Sequence, residues 1–83
     1  MVPLADLTQG KVGMIRTLNG GRRFIARLAS LGFTPGTSIT VMRNYGRGPI
    51  IVSVRGAQVA LGRGEAHHIL VHPAEGHDAF SDN

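Results

Sequence analysis

The chain contains no cysteine and no tryptophan, only one tyrosine and only one lysine in 83 residues. Without thiolates no disulfide can staple it, and no cysteine-ligated zinc or iron–sulfur centre can form. The lack of cysteine suits a reducing compartment, and a cytoplasmic location is the expectation. Aromatic side chains are limited to Phe24, Phe33, Tyr45 and Phe80. Apolar runs break after a few residues, far short of the ~20 needed for a membrane-spanning helix, so no direct membrane insertion is expected. The opening residues Met1 to Asp6 lack a basic stretch followed by an apolar one, so no secretion signal is read there.

Acidic residues are also scarce. Residues 1–72 carry all nine basic side chains against Asp6 and Glu65, a net charge of +7, whereas residues 73–83 carry Glu75, Asp78 and Asp82 and no base. The chain therefore divides into a basic body, 1–72, and an acidic tail, 73–83, which is expected to be disordered. A basic body suits an acidic or phosphate-bearing partner. One domain is all that this length supports, and it buries only about 60% of its unfolded surface in one thin core.

What is present has the rhythm of short strands, with turn signals every eight to twelve residues. Lys11 to Leu18 reads as a first strand, ended by Asn19-Gly20-Gly21. Arg22 to Leu31 has helical period, with Phe24, Leu28 and Leu31 on one stripe and Arg23 and Arg27 on the opposite side. Gly32 stands where a left-handed helix cap is needed, and Phe33 can fold back on the last turn. Pro35-Gly36 makes a turn, and Thr37 to Arg43 alternates Ile39 and Val41 inward. Asn44 to Pro49 reads as a flexible loop. Ile50 to Val54 and Ala57 to Leu61 form a hairpin across Arg55-Gly56, with Glu65 to His68 as one helical turn and Ile69 to His72 as a last strand stopped by Pro73. The expected fold is mainly β: a small SH3-like barrel of about five strands with one short helix after the first, because closure hides the edges of such short strands. Phe24, Leu28, Leu31, Gly32, Gly36 and Gly56 are its expected structural residues.

Several pieces, in order, carry a resemblance: Pro3-Leu4-Ala5-Asp6-Leu7, Gly10-Lys11-Val12-Gly13, and the long run from Arg27 through Leu31-Gly32-Phe33-Thr34-Pro35-Gly36-Thr37. Gly48 to Gly56, Val59-Ala60-Leu61 and Glu65 to Val71 continue it. Over residues 3–72 the chain resembles the FeoA family, the small ferrous iron transport protein A. The resemblance implies an SH3-like barrel, a cytosolic accessory role in ferrous iron uptake, and a partner in the FeoB-type membrane transporter with its GTP-binding domain.

A phosphate-binding loop needs G-x-x-x-x-G-K-[ST], but Ala5 stands at the first glycine and Val12 at the hydroxyl position around Lys11. No G-x-S-x-G, no nucleophilic cysteine and no paired catalytic carboxylates occur in the body, so no enzyme is expected. Glu65, His67, His68 and His72 are the candidate metal ligands, through which ferrous iron or another divalent transition metal could dock weakly. Along a strand His68 and His72 stand roughly 13 Å apart at ~3.3 Å per residue, too far for one ion held at about 2.1 Å. A di-iron carboxylate site needs more glutamates than the body holds. The candidate partner-binding set is Arg22, Arg23 and Arg27 on the helix with Arg43, Tyr45 and Arg47 at the long loop. Arginine suits phosphate, so a small basic barrel binding nucleic acid stands as the alternative. Aromatic platforms are too few for it to be the first expectation, nor do they suffice for a groove that takes proline-rich peptides. Oligomeric state is open at this level.

Overall fold

The structure, a computed structural model, describes the backbone of residues 1–78 and the side chains of residues 1–74. Among the described residues six strands form one antiparallel sheet: β1 (Val2–Pro3), β2 (Lys11–Leu18), β3 (Ser38–Arg43), β4 (Ile50–Val54), β5 (Ala57–Leu61) and β6 (Ile69–Asp78). Their order is β1-β6-β2-β3-β4-β5. A 3-10 turn, Leu4–Asp6, follows β1; helix α1 spans Arg22–Ser30 and the short helix α2 spans Arg63–His67. The helical turn expected near Glu65 is thus α2, and the strands number six where about five were expected. The additional strand, β1, is only two residues long and contains a proline, so it has no alternation to be read.

Inward and outward residues alternate where the strands are regular. Ile39 and Val41 of β3, Ile50, Val52 and Val54 of β4, and Ile69 and Val71 of β6 are buried. They share one core with Leu4, Leu7, Ile15, Leu28, Phe33, Leu61 and Ala66. Register shifts occur twice between β2 and β6 and once between β3 and β4. Such bulges bend strands and raise their twist, which lets a small sheet wrap around a core this thin. Gly13 of β2 serves the same end by omission. A Cβ there would stand 3.1 Å from Leu7 Cδ1 and 3.3 Å from Val71 Cβ, so only a bare backbone allows Leu7 to press against the sheet.

Helix α1 ends differently from its heptad spacing. Leu28 is fully buried and Phe24 packs partly buried against the core, but Leu31 is 40% exposed. The reason is the cap. Gly32 adopts φ +98°, and its N–H donates to the Ala29 carbonyl while the Phe33 N–H donates to the Leu28 carbonyl at 2.9 Å. This paired bonding at a left-handed residue turns the chain back, so Phe33 occupies the core at the helix end and Leu31 is left outside. Gly36 and Gly56 also have positive φ.

The last strand runs past Pro73 to Asp78, not only to His72. β1 pairs with Val71 and Leu70 alone, so beyond them one side of β6 is an open edge, where a residue without an N–H is tolerated. Gly13 pairs with Pro73 and Lys11 with Asp78. Of the expected disordered tail, residues 79–83 lie outside the described residues.

Leu28→Ala is expected to lower the unfolding free energy by ~2–5 kcal/mol, and Leu31→Ala by less than about 0.5 kcal/mol. Urea denaturation checks both, and equal losses would place Leu31 in the core. Gly32→Val should cost ~1–3 kcal/mol through strain at its positive φ.

Candidate functional site

The arginines named from the sequence all lie at the surface. Arg22 and Arg23 occupy the first turn of α1, and Arg43, Tyr45 and Arg47 lie at the end of β3 and in the loop after it; all five are exposed, as is Arg27. The first turn of α1 holds no acidic residue, and its cap, Gly21, supplies no side-chain acceptor. Two guanidinium groups therefore stand at a helix end that already carries partial positive charge, an arrangement that favours a negative partner.

Arg27 has a different role. Its Nη2 donates to Glu65 Oε2 across from α1 to α2. The Phe24 and His68 rings meet edge to face nearby, with centroids 6.0 Å apart. The first residue of α2 is tied to the long loop. Arg63 Nη2 donates to Asn44 Oδ1 at 2.7 Å, and the Asn44 Nδ2 donates to the carbonyls of Ala5 (3.1 Å) and Leu7 (2.7 Å). The Gly46 N–H also donates to Asn44 Oδ1, closing a local turn. Helix α1 and the long loop are thus both fastened to α2, the helix through Arg27 and Glu65 and the loop through Asn44 and Arg63. At Asn44 the loop expected to be flexible is pinned.

Asn44 and Arg63 escaped the sequence reading. The spacing Asn44-Tyr45-Gly46 did carry a signal for the local turn, since asparagine commonly bonds the N–H two residues on. The partners at Ala5 and Leu7 carry none, because they sit at the far end of the chain.

The four candidate metal ligands do not converge. Glu65 is engaged twice, accepting from Arg27 at Oε2 and from the Gly62 N–H at Oε1 (3.0 Å), where it caps α2. His67 is in the last turn of α2, His68 turns its ring to Phe24, and His72 lies on β6 opposite Met14. Among the described residues no group of three histidine, aspartate or glutamate side chains is placed to hold one metal ion, and no pocket opens. No described helix is long and apolar enough to cross a membrane.

Comparison with known proteins shows the family of the chain. The FeoA domain family matches residues 2–73. The chain belongs to the FeoA family. It is 37% identical over 75 residues to the protein named Fe(2+) transport protein A in Methanocaldococcus jannaschii, a match that covers 90% of each chain. A crystal structure described as the iron uptake regulatory protein FeoA superposes with a TM-score of 0.83 at 37% identity, covering 88% of this chain and 97% of that one. FeoA of Stenotrophomonas maltophilia, described as an SH3 domain protein, shares the fold with a TM-score of 0.72 at 24% identity, over 86% of this chain and 89% of its own. The SH3-like architecture expected from strand rhythm is therefore that of the family.

Replacing Asn44 with alanine removes four side-chain hydrogen bonds, three of which join the loop to the first turn and to α2. The expected loss is ~1–3 kcal/mol. Arg27→Ala breaks an exposed ion pair and should cost less than about 1 kcal/mol. Chemical denaturation of the two variants checks the order.

Proposed function

We propose that this protein serves ferrous iron uptake as a non-catalytic accessory that binds a cytosolic part of a FeoB-type membrane transporter and modulates it. The observation that carries the reading is the 37% identity, over nine-tenths of both chains, to a protein named for Fe(2+) transport. The surface supports it. Arg22, Arg23, Arg43 and Arg47 are exposed and have no acidic partner among the described residues. A surplus of outward guanidinium groups on a rigid scaffold favours association with an acidic protein surface, chiefly through steering and orientation. The protein acts in the cytoplasm and reaches the inner face of the membrane through its partner.

The Arg27–Glu65 pair narrows the binding surface. An arginine already held by a carboxylate has less to offer an incoming acid, so the first turn of α1 is the stronger contact than its last turn.

Calorimetric titration of the transporter's isolated GTP-binding domain should show association at low salt that weakens as salt rises. The double variant Arg22→Glu, Arg23→Glu should bind roughly tenfold or more weakly with an unchanged melting temperature. No association at low salt and high concentration overturns the reading, and unchanged affinity in the double variant moves the interface away from α1.

A further inference from the structure

The two edges of the sheet are not equally protected. At one edge stands β1, two residues long and ending in Pro3, and past it the open side of β6 carries Pro73. Short length and proline both blunt an edge against pairing with another chain. At the other stands β5, Ala57–Leu61, with neither a charge nor a proline in its five residues, and β4 is its only strand neighbour among the described residues.

Which backbone groups of β5 face outward follows from the hairpin. Arg55 and Gly56 form a two-residue turn with φ of 49° and 84°, and Val54 pairs with Ala57. In a two-residue hairpin of this kind the flanking pair exchanges hydrogen bonds, and bonded pairs then alternate along the ladder. Ala57, Val59 and Leu61 therefore spend their N–H and C=O groups on Val54, Val52 and Ile50. Gln58 and Ala60 point theirs away from β4, and no described backbone group bonds to them. Both residues are exposed, with side chains on the outer face of the sheet. Two N–H donors and two C=O acceptors thus line an accessible edge at the alternate spacing an added strand requires.

The charges around this edge select its occupant. Arg55 flanks the Ala57 end. Because Ile50 pairs with Leu61, the loop bearing the exposed Arg47 reaches the other end, where Arg63 also lies. No acid occurs between residues 55 and 64, and the nearest along the chain, Glu65, is held by Arg27. Self-pairing is opposed by the same pattern. An antiparallel β5 of a second copy that joined Gln58 to Ala60 would set Arg55 of each chain opposite Arg63 of the other. Like charges opposed across a sheet are destabilising.

We propose that β5 is the site at which an extended, acid-flanked segment of a partner protein adds as a seventh strand, held by the backbone of Gln58 and Ala60 and oriented by the arginines at the two ends. The proposal deepens the reading above in taking the occupant to be a protein partner, and it does not depend on which transporter surface supplies the segment. Strand addition of this kind draws affinity from main-chain hydrogen bonds and selectivity from the side chains around them.

The test is a nitrogen-15 NMR titration of the intact protein with a short synthetic peptide of alternating valine and threonine bearing an aspartate at each end. The Gln58 and Ala60 amides should shift most, and their hydrogen exchange should slow severalfold on binding, while the Val59 amide is already protected in the free protein. The same peptide with lysine ends should bind at least about tenfold more weakly at low salt. Ala60→Pro removes an outward N–H, leaves the ladder to β4 intact, and should abolish binding while the melting temperature shows the fold retained. Ala60→Lys, which places a cation on the outer face beside this edge and keeps the N–H, should retain binding of the acidic peptide. Shifts that map elsewhere, equal binding of the lysine-ended peptide, or full binding by folded Ala60→Pro overturns the proposal. Concentration-dependent shifts of these amides without peptide, with a dimer in sedimentation, makes a second copy the occupant and also overturns it. A transporter domain that binds with the Gln58 and Ala60 amides unprotected leaves the accessory role standing and removes only the strand-addition mode.

Discussion

Short strands with apolar residues on one face can be satisfied only by sharing a single core, and that constraint governs this molecule. No strand except β6 exceeds eight residues, so no pair of them buries enough by itself. The bulges that bend β2, β3 and β6, the bare backbone at Gly13 and the return of Phe33 beneath α1 all serve to bring inward faces together. Among the described residues nothing polar or charged is buried in that core. Chemistry is therefore confined to the exterior, where backbone edges and guanidinium groups are what the fold has to offer.

That exterior is organised around a shortage of acid. Through residue 74 the only carboxylates are Asp6 and Glu65, and Glu65 is used twice, once to cap α2 and once to hold Arg27. The remaining exposed arginines keep their charge for what lies outside. The proposed accessory role gives this imbalance a purpose, since a protein that acted by association would need a surface left unsatisfied.

Much of this was legible beforehand because it is local. The hairpin across Arg55-Gly56, the cap at Gly32 and the alternation of Ile39 with Val41 each follow from residues within a few positions of one another. Leu31 misled because helical spacing describes a helix that continues, whereas the backbone turns at Gly32 and Phe33 takes the place. Pro73 misled because a proline ends a strand that is bonded on both sides, and there β6 has an open side. β1 was invisible because two residues have no period. The role of Asn44 could not be read at all beyond its local turn: its partners Ala5 and Leu7 are brought to it only by the completed fold. The same holds for the candidate site, where exposure of the arginines was legible but the capture of Arg27 by a carboxylate on another helix was not.

The pairing of β1 with β6 has a consequence for how the protein comes into being. Val2 lies beside Val71, so two segments far apart along the chain find their place against each other. Leu4, Ala5 and Leu7 belong to the interior, and the turn that carries them packs against α2 and β6, both far along the chain. Joining such distant parts of a chain slows folding, because the entropy of closing the whole loop precedes the contacts that compensate it. The interior is therefore complete only when segments far apart along the chain have met.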